Sequence, residues 1–586
     1  MLILTEKPSV AKDFASALNC FYSPKEKCFV NGDGKIKITN CVGHLFNLAE
    51  PAVYDSRFKS WKNLPIIPTD FIYETNPSVK DTAALVISLI KKNKNDGILI
   101  ATDADREGEI IARECLNQAG ISDYSKIKRF WVSEALTKDV ILDGIKNAKP
   151  LDDFELLSKQ GFARQKADWL IGMNGTRFIT NRAGRVLPIG RVQTAILSEI
   201  SDRCNKIDNF KSEKYFEFQG CFETPDGMQK VTGIYQEGET SKFSDKKPVL
   251  YLENFLNHHV VINDSKVEKR KLNPPQLYNL NDLQKDAFNY FDYSAEKTLS
   301  IIQKLYETYK CVSYPRTPSK VMGNDNVELC KKLFEKFIRI NPEYFVLHSV
   351  VRIDANNKRV FDNSKLEAHH ALIPLEKLPS AATVDESNIY YLILERFMLA
   401  FAPVCEMEAV KVILSVSGND FIVRANHILE PGWKKYQKIS KTKNDENEDT
   451  NQEITNINWS SLVLKNVSAV EKKTKPPKHY NEALLLAFME NPKGSEDQKL
   501  AGIGTAATRH TFIPKLKRLK FIKEMGKNLI VTSEGNNLLK LIETTPFGKL
   551  ADISETTRWE NELNDNPDTF LDEMKDFIRA STGGTK

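Results

Sequence analysis

Two short strings carry residue types suited to phosphorus chemistry. In Asp103-Ala104-Asp105-Arg106-Glu107-Gly108-Glu109, locally extended backbone would project Asp103, Asp105 and Glu107 to one side at period two. Three carboxylates that close repel one another, and a divalent cation relieves the repulsion. Hard oxygen ligands suit Mg²⁺, which keeps several waters and meets phosphate. Glu6 follows the apolar run 2–5 and can join the group. The second string is Tyr314-Pro315-Arg316-Thr317. A phenol, with an ordinary pKa of about 10, is a poor nucleophile until cations stabilise its phenolate. Pro315 disfavours helix at the residue before it, which holds Tyr314 extended with Arg316 on the same face. There a guanidinium can grip a phosphodiester while the phenolate attacks phosphorus. Taken singly, the acids also suit a solvated turn capping a helix, and the tyrosine a structural turn.

The elements that must position these residues follow from pattern. Residues 2–5 and 97–102 form apolar runs that predict buried strands, and residues 9–18 and 82–92 predict helices. Such alternation argues for a parallel α/β sheet, whose ligands gather at the carboxyl ends of the strands. The acidic string then opens a helix over 109–119. Residues 151–204 turn helical, and 215–261 alternate as antiparallel strands. After Pro274-Pro275, residues 280–310, 326–338 and 387–401 predict helices. Leu299, Ile302, Tyr306 and Tyr309 mark one apolar face before the tyrosine, with Gln303 and Glu307 on an adjoining face. Residues 410–423 return to strand character, 440–458 predict a flexible polar loop, and helices dominate beyond Pro476-Pro477. Two β-rich stretches around a helical block suggest one domain interrupted by another.

The 586 residues argue for about three to five domains. With 41% hydrophobic and 27% charged residues, disorder and fibrous repeats are excluded for the whole chain. A net charge of +5 (83 basic against 78 acidic residues) gives no global sign of a nucleic-acid partner. The nine cysteines include no C-x-x-C pair, which argues for free thiols in a reducing compartment and against a zinc ribbon or disulfide framework. The first residues reach Glu6 and Lys7 at once, unlike a signal peptide, and the apolar stretch 390–405 is broken by Glu395 and Arg396. The expectation is a cytoplasmic, multidomain, soluble chain.

The acidic string with Glu6 resembles the Toprim domain of topoisomerases, primases of the DnaG type and some nucleases. Six motifs in order extend the resemblance: Glu6-Lys7-Pro8-Ser9, the 103–109 string, Gly190-Arg191-Val192-Gln193-Thr194, Tyr314-Pro315-Arg316-Thr317, His369-His370-Ala371-Leu372-Ile373-Pro374, and 502–509 with Thr508. Together they are similar to type IA DNA topoisomerases, most of all the bacterial topoisomerase III branch. This resemblance implies a multidomain α/β and α+β chain, a toroidal four-domain core. Its parts would be a Toprim domain (1–150), a helical DNA-binding domain (151–212 and 476–586), a β-rich arch (213–275 and 402–475) and a tyrosine-bearing domain (276–401).

The resemblance further implies ATP-independent, Mg²⁺-dependent cleavage of one DNA strand through a 5′-phosphotyrosine link, strand passage and religation. Negative supercoils would be relaxed, linked DNAs separated, or both. Tyr314 would be the nucleophile, Glu6 the proton-transfer group, and Lys7, Arg316 and His369 neighbours of the scissile phosphate. Asp103, Asp105 and Glu107, with Glu6, match the metal carboxylates. Gln303 and Glu307 match residues organising the tyrosine's helix, and Arg164, Asp168, Arg191, Gln193 and Thr508 match DNA contacts. The implied partners are single-stranded DNA at the cleavage site and a helicase or single-strand-binding protein, with no membrane; the chain would be a monomer near the nucleoid. Pro318 departs from the family, which has Asp there, and removes an accessory polar contact. Two other readings remain open from sequence: a different Toprim enzyme with a structural Tyr314, and a non-catalytic DNA-binding module.

Overall fold

Leu2–Thr5 and Ile98–Ala101 are fully buried strands paired in parallel, with Thr5 opposite Ala101 and, on the other side, opposite Asn40. Because the strands end level, the residues that follow them emerge along one edge. The computed structural model describes residues 1–347, 349–366, 369–439, 452–453, 457–492, 502–505 and 508–583. The sheet runs Phe21–Ser23, Cys28–Val30, Lys37–Asn40, Leu2–Thr5, Ile98–Ala101, Ile127–Arg129, Lys149–Pro150, and its central four strands are parallel. Alternate residues fill both faces: Leu2, Leu4, Ile98 and Ile100 on one, Ile3, Leu99 and Ala101 on the other. Burial of both faces is why these strands read as continuous apolar runs. The helix after the acidic string begins earlier than its pattern predicts, at Arg106–Gln118.

A second unit is helical. Its core joins the Glu155–Ala183 and Arg191–Asp208 helices to Arg509–Arg518, Ser533–Glu543, Ile553–Asp565 and Pro567–Thr582 near the other end of the chain. Phe58 and Ile66, from the first 150 residues, belong to this core as well.

The β-rich unit is one sheet in the order Val261–Leu272, Cys405–Val416, Asn419–Glu430, Lys230–Gln236, Lys214–Glu223, Val463–Lys473. Leu272 lies opposite Cys405 in the antiparallel register. The chain therefore leaves this sheet and re-enters it on neighbouring strands, carrying the tyrosine-bearing unit between them. That unit has its own core, from Leu277 to Ala402.

Two predicted elements each divide in two. The stretch 410–423 is a hairpin turning at Ser417 and Gly418, both at positive φ (49° and 85°). The stretch 280–310 is two helices, Leu280–Phe291 and Ala295–Glu307, broken at Asp292 with φ 58° and restarted by the Ser294 cap. The predicted polar loop 440–458 lies mostly outside the described residues. Within it Gln452–Glu453 forms a short strand parallel to Asn419–Glu430. Among the described residues no helix is long and apolar enough to cross a membrane.

Candidate active site

Glu6 and Asp103 leave their strands side by side, and the Asp103 backbone N–H donates to Glu6 Oε2 at 3.3 Å. The loop between strand and helix is drawn in tightly. A Cβ on Gly108 would stand 2.2 Å from the Asp103 carbonyl oxygen, so only glycine allows this approach. Arg129 fixes the loop from beneath: it is fully buried, donates to the carbonyls of Thr102 (2.8 Å) and Asp103 (2.5 Å), and pairs with Glu109 at 3.0 Å. Asp105 caps the helix, its Oδ1 accepting from the Gly108 N–H at 2.8 Å.

The acids do not all point one way. Asp105 is extended, but Glu107 already lies in the first helical turn. Helical rotation, in place of the extended alternation expected, turns its carboxylate to His44 Nε2 at 2.9 Å. His44 Nδ1 meets Glu114 at 2.9 Å. Burial works against the imidazolium, but the two carboxylates outweigh it and push His44 up to about 10. Lys7 Nζ bridges Asp103 and Glu307, each at 2.9 Å. Burial opposes its charge too, but Asp103, Glu6 and Glu307 hold it above the ordinary lysine range. Glu6 goes the other way. Burial first, then repulsion from Asp103, pushes it up to about 8 against the pull of Lys7.

Tyr314 reaches this edge from the other unit. Its hydroxyl donates to Asp105 Oδ2 at 3.0 Å, and its backbone N–H donates to the Ser133 carbonyl at 2.9 Å. Burial, Asp105 and Asp103 raise the phenol well above its ordinary value; Arg316 opposes them. Arg316 is half-buried, and its Nε has no partner among the described residues. His369 lies against the tyrosine ring, with centroids 4.3 Å apart, and stacks on Trp131. Its Nε2 donates to the Ala104 carbonyl and its Nδ1 accepts from the Ser133 hydroxyl at 2.9 Å. Burial pushes His369 down to about 3, so it is a neutral positioning group here.

Asp105, Glu107, Arg164, Arg316, His369 and Thr508 line one cleft of about 810 Å³. Asp103 and Tyr314 border a hollow of about 30 Å³ with Val10, Phe130 and Tyr306. Thr508 precedes the Arg509–Arg518 helix and shares a hydrogen bond with Thr505 at 3.0 Å. Gln303 is half-buried one turn before Glu307. Pro318 also lines the cleft.

Two expected DNA contacts sit elsewhere. Arg191 is buried and binds Glu560 and Asp168, the latter at 3.2 Å. Gln193 is buried and donates to the Pro188 carbonyl at 3.1 Å. Both occupy the first turn of a helix packed into the helical core, so they brace the cleft wall in this closed form. Asp168 is part of the same brace, 3.8 Å from Arg164.

Sequence reasoning missed His44, Arg129, Trp131 and His510. His510 lines the cleft near Arg316, and burial pushes it down to about 4. Arg129 is the cation that the buried Glu109 requires, but that burial comes from packing and the acidic string gives no sign of it. His510 directly follows the 502–509 motif, whereas His44 joins the site by hydrogen bonds and Trp131 by stacking, both across long sequence separations.

Comparison with known proteins agrees with this geometry. A Toprim domain model matches residues 1–135 and a DNA topoisomerase model matches residues 152–566. DNA topoisomerase 3 of Bacillus licheniformis is 34% identical over 99% of this chain and 81% of its own length. DNA topoisomerase 3 of Bacillus subtilis (strain 168) is 33% identical over 96% and 78%. The fold matches full-length topoisomerase I from Thermotoga maritima with a TM-score of 0.74, at 21% identity, over 99% of this chain and 90% of that one. With a buried tyrosine held against a Toprim acidic edge and relatives of this identity along nearly its whole length, the chain belongs to the type IA DNA topoisomerases.

Proposed function

We propose that the chain cleaves one DNA strand with Tyr314, passes another strand through the break and reseals it without ATP. The carrying observation is the Tyr314 hydroxyl bonded to Asp105 beside Arg316, whose buried Nε has no partner among the described residues. As a phosphodiester enters the cleft, Asp105 accepts the phenolic proton and the tyrosine oxygen attacks phosphorus. The bond to the 3′-oxygen breaks, Glu6 supplies that oxygen's proton, and the 5′-phosphate remains on Tyr314. Arg316 and Lys7 neutralise charge growing on the phosphate. Resealing runs the same transfers backward, and the tyrosyl ester conserves the energy of the broken bond.

Toprim domains bind metal, and the donor chemistry here fits Mg²⁺. Burial first, and then Asp103 and Asp105, push Glu6 toward holding a proton, and a cation at these oxygen ligands would relieve the repulsion among them. Asp103, Glu6 and Asp105 would hold the ion, with Glu107 joining on release from His44. No three such side chains are already gathered as a metal-holding group among the described residues. Once bound, Mg²⁺ supplies charge stabilisation to the phosphate.

Arg164 and Thr508 line the path we assign to single-stranded DNA, and Arg191, Gln193 and Asp168 hold its wall. Gln303 and Glu307 set the tyrosine's helix against Lys7. We further propose a monomer acting on the nucleoid in the cytoplasm, where a helicase or single-strand-binding protein would expose its substrate. Replacing Tyr314 with Phe is expected to abolish the covalent adduct at a DNA 5′ end while retaining single-strand binding. Cleavage persisting in that variant refutes the reading.

A further inference from the structure

The tyrosine-bearing unit meets the rest of the chain along two seams. The catalytic seam holds Tyr314 on Asp105 and Ser133, His369 on Ala104, Lys7 on Glu307, and Lys310 on Asp13 at 2.5 Å. The second seam is built on one nine-residue helix, Glu482–Glu490, with a carboxylate at each end.

Each carboxylate meets the start of a different helix in the tyrosine-bearing unit. Glu482 accepts from the Ala295 N–H at 2.8 Å, at the first residue of the Ala295–Glu307 helix. Glu490 accepts from Asn279 Nδ2 at 3.0 Å, the cap of the Leu280–Phe291 helix. Glu490 also pairs with Lys285 at 3.1 Å and Lys320 at 3.5 Å, and Asp282 binds both lysines, Lys320 at 2.7 Å. Negative charge at a helix N-terminus is favourable. The four charged side chains are only 14–29% exposed; parting the seam takes Glu490 from both lysines, which keep Asp282 alone.

This seam is joined to the tyrosine loop. Asn279 Nδ2 also donates to the Pro318 carbonyl at 3.0 Å, and Leu280 N–H donates to the Thr317 carbonyl at 3.1 Å. Strand passage requires both seams to part. Cleavage itself weakens the first: once the tyrosine oxygen is an ester it has no hydrogen to donate, and its bond to Asp105 ends. Nothing in that chemistry touches the second seam.

We propose that Glu490, seconded by Glu482, is a latch that holds the cut complex shut and sets how readily the gap opens. It is a positioning residue for strand passage and not for cleavage. The inference rests on Tyr314 being the nucleophile.

The test uses the full chain on one DNA molecule with a single-stranded bubble, held in magnetic tweezers with Mg²⁺, to read the ratio of open to closed cut complexes at fixed tension. A short single-stranded oligonucleotide, assayed in parallel, reads cleavage and resealing. Glu490→Gln is expected to raise the open-to-closed ratio at least about fivefold, as for loss of a partly buried charge pair, with oligonucleotide cleavage within about twofold of the parent. Lys320→Met, which weakens the latch from the opposite side, is expected to shift the ratio in the same direction. An unchanged ratio in both variants, or oligonucleotide cleavage falling as much as passage changes, overturns the latch. Failure of the unaltered chain to form any adduct would instead refute the nucleophile assignment.

Discussion

Two charged clusters meet at the loop 103–109, and they are built on opposite terms. Around Glu109 each side chain has its complement: Arg113 at 2.9 Å, Arg129 at 3.0 Å, and the spare guanidinium N–H groups of Arg129 on loop carbonyls. Around Glu6 the count does not close. Asp103 and Asp105 crowd a buried carboxyl, Tyr314 is held as a neutral phenol, and Arg316 keeps a buried donor without a partner among the described residues. A satisfied buried network fixes geometry, whereas an unsatisfied one stores affinity for something absent. The matched cluster is the mount, and the unmatched one is where we propose that phosphate and metal fit.

Removing the acid from the unmatched side should do most. Glu6→Gln is expected to slow oligonucleotide cleavage by about 10²–10⁴-fold, the range for loss of a positioned proton donor, with thermal stability unchanged or raised. A variant that loses stability and keeps its rate would erase the contrast. The mount should respond inversely. Arg129→Met leaves buried Glu109 with Arg113 alone and takes the donors from the Thr102 and Asp103 carbonyls; it is expected to cost about 3–5 kcal/mol of stability, seen as a lower thermal midpoint. Adding Glu109→Met should recover part of that loss, because the under-paired carboxylate goes too while Arg113 keeps Glu155 and the Leu151 carbonyl.

A smaller effect is a pH slope. With Glu6 raised from 4.5 to about 8, metal-free protein is expected to lose cleavage roughly tenfold per pH unit above about 8, as the donor's proton leaves. The folded chain binds this proton more tightly than the unfolded chain. Its contribution to stability is therefore full below about 4.5 and is lost as pH rises toward 8. A flat rate profile across that window would remove Glu6 from proton transfer. The smallest change is expected of His44→Gln, which frees Glu107 at the rim. Cleavage should change by less than about tenfold, and the metal concentration for half-maximal rate should shift most.

How much of this could be seen in the sequence depended on range. Glu6, Asp103, Asp105 and Tyr314 were legible because each sits in a short string whose local backbone determines its setting. Glu107 was misplaced by one local fact, the helix starting at Arg106. Arg191 and Gln193 stand in the Gly190–Thr194 motif, but burial is a property of packing that their spacing does not encode. His44 meets Glu107 across 63 residues and Trp131 meets His369 across a unit boundary, with no periodicity to announce either. The hairpin at Ser417-Gly418 was hidden for another reason: period-two alternation on both strands runs almost unbroken through a two-residue turn.

Lys7 touches Asp103 with one hydrogen bond and Glu307 with another, and those acids belong to parts that must separate. When the gap opens, Glu307 departs and the whole lysine charge falls to Asp103 and Glu6. Glu6, which in the proposed mechanism has already given its proton to the 3′-oxygen, is then held as the carboxylate by the undivided ammonium, the form in which it takes a proton back on resealing. In the mechanism we propose, one ammonium thus works as an interlock: opening of the gap keeps the base ready, and a broken strand is not released before the machinery can mend it.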